Sequence, residues 1–211
     1  EGQYDTGNYT LDLSQPAGSN EHLVRFYRKT FMLQQLKRLD DSSQNELRLY
    51  LPVGTVLDLD IAINKGEADV DLSRVPVRQL SLRFSKGKLN LEFKQLNPVE
   101  LETMIVEASM GEAQLHGLGF ARAREIRLGG SMGDFVFEFD GPLEADSRAS
   151  IRVRMGNGQV RIPSETLVSL VDSSVFLGHL ENRRGWSHEN PENMPALDLD
   201  LSVSFGEIVV R

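Results

Sequence analysis

The chain alternates apolar and polar residues over most of its length, and a glycine interrupts the alternation every 20 to 28 residues. When the copies are aligned on this glycine, the residues three, five and seven positions before it are mostly apolar, as are those two and four positions after it. Alternation with a period of two predicts strands with one buried face. The glycines that centre the copies are Gly66, Gly87, Gly111, Gly133, Gly158, Gly178 and Gly206.

Each copy therefore predicts a strand, a corner at the glycine and a second strand. A sharp corner commonly needs a positive φ, which residues other than glycine adopt only at a cost of roughly 1–2 kcal/mol. One copy cannot bury its apolar side chains alone, so neighbouring copies must stack. The expected fold is an all-β solenoid, single-stranded and resembling a right-handed β-helix, with about seven glycine-cornered repeats.

The same alignment assigns individual side chains to the core of the solenoid. In the central copies the inward positions hold Leu82, Val106, Leu128 and Val153. In the fifth and sixth copies they include Met155, Val171 and Val175. All of these residues are expected to be buried in one shared interior.

The first 44 residues lack the repeat pattern and predict an N-terminal strand and a capping segment ahead of the repeat domain, 45–211, within one structural domain. Residues 21–39 carry apolar side chains at helical spacing, although Leu23–Arg28 also alternates as a strand does. We favour a helix that covers the exposed edge of the first coil, while its basic residues also fit a helix on a membrane surface. Leu47, Leu49 and Leu51 alternate into the turn at 52–55 and are predicted to form a partial coil ahead of the first full repeat.

Composition narrows the classes of function. The chain has 211 residues, a net charge of −8 and no cysteine. The negative charge argues against nucleic acid or an anionic membrane as a partner, and the lack of cysteine removes thiol catalysis, disulfides and thiolate metal sites. No stretch approaches the roughly 18 consecutive apolar residues of a membrane-spanning helix. The first residue, Glu1, fits a processed export signal and a trimmed chain equally.

Few residues suggest chemistry. The histidines have no zinc-ligand spacing, and no nucleophile or phosphate-binding motif occurs, so we predict no catalytic residue, metal or cofactor. The outward aspartates of the first and last copies are expected to form a solvated face, although carboxylates of this kind also bind calcium or act in sugar chemistry. These aspartates are Asp58, Asp60, Asp69, Asp71, Asp198 and Asp200.

The long loop 182–195 provides the candidate binding residues. Loops on rigid scaffolds often carry function, but a long loop also serves to cover a core. The alternative is therefore that this loop folds its tryptophan over the last coils. The candidates are Arg183, Arg184, Trp186 and His188.

Four stretches of the chain resemble the bacterial toast-rack domain. They are 45–51 (NELRLYL), 57–82 (LDLDIAINKGEADVDLSRVPVRQLSL), 97–119 (NPVELETMIVEASMGEAQLHGLG) and 197–211 (LDLDLSVSFGEIVVR). That family is related to the extracytoplasmic domains of cell-wall-active antibiotic response proteins and to candidate adhesin domains of β-solenoid type. The resemblance covers residues 45–211, although the family usually has Gly-Ala-Gly where this chain has Lys-Gly or Met-Gly.

The resemblance implies an exported, non-enzymatic β domain of the bacterial cell envelope, located in the periplasm, outside the cell or on its outer surface, with a part in envelope sensing or adhesion. It supplies no catalytic or ligand-binding residue. We therefore expect a rigid interaction or scaffolding module with an unidentified protein or cell-wall partner, and a homo-oligomer stays open. The alternatives are a carbohydrate-active enzyme that uses outward carboxylates and a calcium-dependent binding module.

Overall fold

The structure, a computed structural model, describes residues 2–3, 9–15, 21–28, 46–186 and 194–211. Within these ranges every regular element is a β-strand, which confirms the all-β class for this part of the chain. The chain divides into two compact units, Glu1–Leu51 and Pro52–Arg211. The division differs from the expected boundary between residues 44 and 45, because a strand in 46–47 belongs to the first unit.

The first unit contains four strands that pair antiparallel. β1 (Gly2–Gln3) pairs with β4 (Glu46–Leu47), and β2 (Tyr9–Ser14) pairs with β3 (Leu23–Arg28). The predicted helix is wrong for Leu23–Arg28, because the alternation there is satisfied by pairing with β2. The other residues of the expected cap, 29–39, lie outside the described residues. The partial coil expected from Leu47 onward is also wrong at Leu47, which pairs with Gly2 of β1.

The second unit is built from five long strands and two layers of shorter ones. The long strands are β7 (Val77–Glu92), β8 (Leu101–His116), β9 (Ala123–Glu138), β10 (Ser147–Arg161) and β13 (Ala196–Val210). The shorter ones are β5 (Leu57–Ile63) with β6 (Gly66–Asp71), and β11 (Leu167–Val175) with β12 (His179–Asn182). They pair in parallel in the order β5/β6, β7, β8, β9, β10, β13, β11/β12. This sheet is compatible with a β-helix or solenoid.

A column of glycines marks the corner of six neighbouring layers, those of β6, β7, β8, β9, β10 and β13. Gly111 pairs with Gly87 on one side and Gly133 on the other, and its φ is 119°. A Cβ at Gly111 would overlap the backbone carbonyl oxygen of Gly87. Glycine is needed here both for its φ and for the close approach of two backbones. This glycine ladder consists of Gly66, Gly87, Gly111, Gly133, Gly156 and Gly206.

The ladder corrects two of the predicted corners. In β10 the residue with positive φ is Gly156 (136°), which pairs with Gly133 and Gly206, so Gly158 is not the corner. Gly158 instead lies in the inward row, and Met155, expected inward, is 49% exposed. Gly178 lies at the bend between β11 and β12, but the positive φ there belongs to Leu177 (52°).

The order of the layers also differs from the order of the repeats along the chain. The last strand, β13, inserts between β10 and β11, so that β11 becomes an outer layer. Val171, at a bulge in β11, and Val175 were expected inward but are half exposed, because no described strand pairs with the outer edge of β11.

The core runs through the inside of the stack. The predicted inward residues Leu82, Val106, Leu128 and Val153 are each at most 2% exposed. Burial of one such side chain is worth about 1.5–3 kcal/mol, so the stack is held together mainly by apolar contact between layers. Small and large residues also compensate for each other, because the Phe135 ring occupies the place that a side chain at Gly130 would need.

A buried asparagine joins the connections between layers. Asn97 is fully buried, and its side-chain amide donates to the carbonyl oxygens of Val77 and Ala121 at 2.6 and 3.3 Å. Its side-chain oxygen accepts from the Val77 amide at 3.1 Å. Because both polar ends of the side chain are satisfied, Asn97 links three layers without the cost of an unpaired buried group.

Candidate functional site

The predicted aspartate set does not converge on one point. Asp58 and Asp60 lie before the glycine corner, whereas Asp69 and Asp71 lie after it, on a different face of the layer. Asp58 pairs with Arg78 at 2.5 Å and Asp60 with Arg83 at 2.8 Å. Both ion pairs connect β5 to β7, and they are exposed. The arrangement is that of a solvated face.

Neighbouring groups hold these carboxylates in the charged form. The hydrogen bond from Arg78 lowers the pKa of Asp58 below its usual value. The Ser73 hydroxyl, with help from Lys94, lowers the pKa of Asp71 in the same way. Carboxylates bound by cations or donors within the protein are poorly placed to act as general acids.

The arginines of the predicted binding loop contact the protein itself. Arg184 donates to the backbone carbonyl oxygens of Pro163 and Ser164 at 2.8 and 3.0 Å, and also to that of Thr166. Arg183 pairs with Glu181 at 2.8 Å. Arg184 therefore ties the chain after β12 to the connection that follows β10.

Among the residues that the structure describes, no contact gives the other two candidates of that loop a role. Trp186 is half-buried. His188 lies outside the described residues. Of these candidates, Arg184 is therefore held by backbone carbonyls elsewhere in the fold, whereas Arg183 forms an exposed ion pair within its own strand end.

One group of potential metal ligands occurs among the described residues, away from the predicted aspartates. Ligand atoms of His179, Glu181 and Glu207 all lie within 4.8 Å of one another, on β12 and β13. Glu181 is already bound to Arg183, so a cation would have to displace a guanidinium. The second histidine with a carboxylate neighbour, His116, contacts Glu138 at 2.6 Å.

A groove on the outer face before the corner was not predicted from the sequence. It has a volume of about 600 Å³ and lies over Gly129 in β9. Gly129 pairs with Glu107 of β8 and Arg152 of β10, whose long side chains stand on either side. The groove exists because the residue between two long side chains has none.

The groove is lined by polar groups, several of which are free to bind. Arg148 and Arg152 form no ion pair with any described residue. Arg127 pairs with Glu125 at 2.9 Å, and Ser150 donates to Asp200 at 3.4 Å. The other charged side chain at the groove is Glu107, and an apolar surface is supplied by Ile105.

This lining suits a ligand rich in hydroxyl groups. A guanidinium offers five N–H donors, and a carboxylate offers acceptors on both oxygens. Three arginines and three acidic residues line the groove, so its charge is balanced and a polyanion gains little there. The two unpaired arginines leave room for one or two carboxylates on the ligand.

The sequence contained one signal for the groove. At the position four residues before the ladder glycine, the other layers carry Ala62, Arg83, Glu107, Arg152 or Ser202, and only β9 has glycine. A glycine on the outward face of a strand marks a gap or a close approach.

Within the described residues, no helix has the length and apolar character that crossing a bilayer requires.

Comparison with known proteins shows no family for this chain. No protein-family model matches the chain, and no curated protein matches its sequence significantly. A solved structure, that of a candidate cell adhesion protein from Clostridium sporogenes, is similar with a TM-score of 0.48 and 14% sequence identity. The match covers 68% of this chain and 93% of that one.

Proposed function

We propose that this protein is a non-enzymatic interaction module of the bacterial cell envelope that holds a glycan in the groove over Gly129. The ligand class is a hydroxyl-rich sugar chain that carries carboxylates. The observation that supports this most is the pair of unpaired arginines, Arg148 and Arg152, beside a gap in an otherwise continuous outer face.

The surrounding fold supports a binding role because it holds the groove rigidly. The side chains at the groove come from β8, β9, β10 and β13, which pair in register over their full length. Their inward neighbours Ile126 and Leu128 are each 2% exposed, so the backbone beneath the groove is fixed by the core. A preformed site loses little entropy on binding.

A substitution that fills the groove without disturbing the fold tests this proposal. A Cβ at Gly129 would meet only the Glu107 side chain, at 3.7 Å, and Gly129 does not have a positive φ. We expect Gly129→Leu to fold normally and to weaken binding of soluble peptidoglycan fragments by at least about tenfold, or 1.4 kcal/mol. Isothermal titration calorimetry measures this change.

The matched control is Ala62→Leu, since Ala62 occupies the same outward row in β5, far from the groove. It should change affinity by less than about twofold. Equal binding by Gly129→Leu and the wild-type protein would remove the groove as the site. Failure of the wild-type protein to bind any fragment would remove the proposed ligand class.

A second candidate function rests on the same groove. Glu107 and Glu125 both line it together with arginines, and a pair of carboxylates is what most glycoside hydrolases use. Release of reducing ends from the peptidoglycan fragments, lost in Glu107→Gln or Glu125→Gln, would favour the enzyme. We propose the binding module because Glu125 is held by Arg127.

Three further expectations belong to this proposal. The toast-rack resemblance of residues 45–211 and a location in the periplasm, outside the cell or on its outer surface rest on the motifs of the sequence. A role in envelope sensing or adhesion follows from the same resemblance. Fractionation of cells that express the full gene tests the location, and recovery of the protein in the cytoplasm alone would contradict it.

A further inference from the structure

A row of apolar side chains projects from the glycine corner of the second unit. Met110, Met132, Met155 and Phe205 occupy the position before the ladder glycine on β8, β9, β10 and β13, and each is 41–49% exposed. The Phe176 ring lies 5.8 Å from that of Phe205 and extends the row. We call these five residues the corner ridge. Contiguous exposed apolar surface commonly marks a contact with another molecule.

The charges beside the corner ridge are arranged from one end to the other. Lys86 continues the ridge row onto β7. The row one residue after the ladder glycine runs parallel to the ridge. Beside the ridge, from β7 to β13, it begins with a base and ends with an acid, and it continues to Glu67 on β6 and His179 on β12. From β7 to β13 this row consists of Lys88, Glu112, Asp134, Asn157 and Glu207.

We propose that the corner ridge is a dimer interface in which two copies of this chain pack antiparallel, with a twofold axis through the β9 layer. In this arrangement Met132 meets its own counterpart and Met110 meets Met155. Lys86 lies against Phe205 of the partner copy, where an ammonium group gains from the face of an aromatic ring. The ridge is thus complementary to itself.

The flanking row supports the antiparallel direction through its charges. Lys88 faces Glu207 of the other copy at both ends of the interface, and Glu112 faces Asn157. Asp134 faces its own counterpart and is the one unfavourable contact in the row, although Asn157 donates to it at 2.9 Å. A parallel arrangement would place this row against the opposite flank of the ridge, which consists of four serines and Arg154 on β10. Lys88 and Glu207 would then not meet.

The size of the ridge sets the expected affinity. The row from Lys86 to Phe205 covers four strand spacings of about 4.8 Å, or roughly 20 Å. Stable interfaces bury about 800 Å² on each partner, which is more than a strip of this length provides. The dimer should therefore be weak, with a Kd in the range of roughly 1 to 100 μM.

A charge exchange tests both the dimer and its direction. By sedimentation equilibrium we expect wild-type protein to convert from monomer to dimer as its concentration rises to about 500 μM. Lys88→Glu and Glu207→Lys should each raise the Kd by about tenfold, and the double exchange should restore it to within about threefold of the wild-type value. Asp134→Asn should lower the Kd severalfold because it removes the repulsion at the axis.

Two further variants test the dimer without changing Glu207, which also lies beside His179 and Glu181. Met132→Lys places two charges at the axis and should abolish dimerisation with the fold intact by circular dichroism. Val171→Lys is the control, since Val171 is 50% exposed but lies outside the corner ridge. It should dimerise as the wild-type protein does.

Several outcomes would overturn the proposal. One is a wild-type protein that stays monomeric at about 500 μM. Another is a Met132→Lys variant that dimerises normally, and a third is a double exchange that fails to rescue the single variants. A monomeric wild-type protein that sediments with phosphatidylcholine vesicles would assign the corner ridge to a lipid surface instead.

Discussion

At the scale of single residues, the glycine ladder separates two reasons for needing glycine. Gly111 has a positive φ and lies where a Cβ would overlap the backbone of Gly87. Gly66, at the end of the ladder, has a φ of 140° but no atom within 4 Å of a Cβ position. The two positions therefore share the conformational requirement and differ in the close approach.

We expect Gly111→Ala to cost at least about 3 kcal/mol of unfolding free energy, because a backbone must move as well as a dihedral angle change. Gly66→Ala should cost only about 1–2 kcal/mol, for the dihedral angle alone. Urea denaturation of both variants measures the difference. Equal losses would show that the layers do not touch at Gly111.

A second residue-scale prediction concerns acid. Burial alone would raise the pKa of Glu138. The hydrogen bond and charge of His116, together with Arg161, lower the pKa by more than burial raises it, so the pKa of Glu138 lies below its usual value. A carboxyl group whose pKa is lowered by folding stabilises the protein above its unfolded pKa, about 4.3 for Glu, and this stabilisation is lost as the pH falls through the folded value.

The free energy of unfolding should therefore fall as the pH drops below about 4.3, and Glu138→Gln should make that fall shallower. Chemical denaturation between pH 7 and pH 3, roughly the range in which carboxyl groups titrate, measures both curves. Glu112→Gln, at an exposed position, is the control and should follow the wild-type curve more closely. A Glu138→Gln curve as steep as the wild-type one would contradict the assigned contacts.

Residue patterns predicted the faces of the strands more accurately than the corners. Leu82, Val106, Leu128 and Val153 are buried as expected, because alternation alone defines which face is inward. The choice between Gly156 and Gly158 was wrong because the two are separated by one full period and leave the inward set nearly unchanged. Local alternation cannot distinguish them, whereas the pairing with Gly133 does.

At the scale of elements, the sequence predicted the strands but not their neighbours. Every layer offers a similar apolar face, so β13 fits beside β10 or β11 by pattern alone. The sixth copy, which forms β11 and β12, matches the repeat pattern least well. It has a bulge at Leu170/Asp172, and Asn182 stands where the other copies have an apolar residue. β11 and β12 lie at the outer side of β13, where a layer with fewer apolar contacts weakens the stack least.

Element assignment was least accurate near the N-terminus. Residues 23–28 fitted both periods, and the strand was selected by a partner, β2, that helical spacing cannot reveal. The groove was missed for a related reason, since Gly129 becomes a gap only when Glu107 and Arg152 stand beside it. Sites that depend on pairing between strands are invisible to patterns within one strand.

At the scale of the whole molecule, the second unit is a stack in which neighbours in space are not always neighbours in sequence. The proposed groove and the proposed dimer interface both depend on the position of β13, which supplies Asp200 to the first and Phe205 to the second. If β13 lay at the end of the stack instead, Asp200 and Phe205 would each lie one layer further from β10.

Disulfide formation between introduced cysteines tests that order most directly, since the chain has no cysteine of its own. Arg152 pairs with Ser202 across β10 and β13, and Ser174 pairs with Ser202 on the other side. Neighbouring strands bring Cα atoms within the roughly 4.4–6.8 Å that a disulfide spans, whereas strands two layers apart do not. Under mild oxidation, measured by mass spectrometry, the pair Arg152→Cys with Ser202→Cys should close nearly completely and Arg152→Cys with Ser174→Cys should stay reduced; the reverse result would contradict the inserted strand and the two surfaces that depend on it.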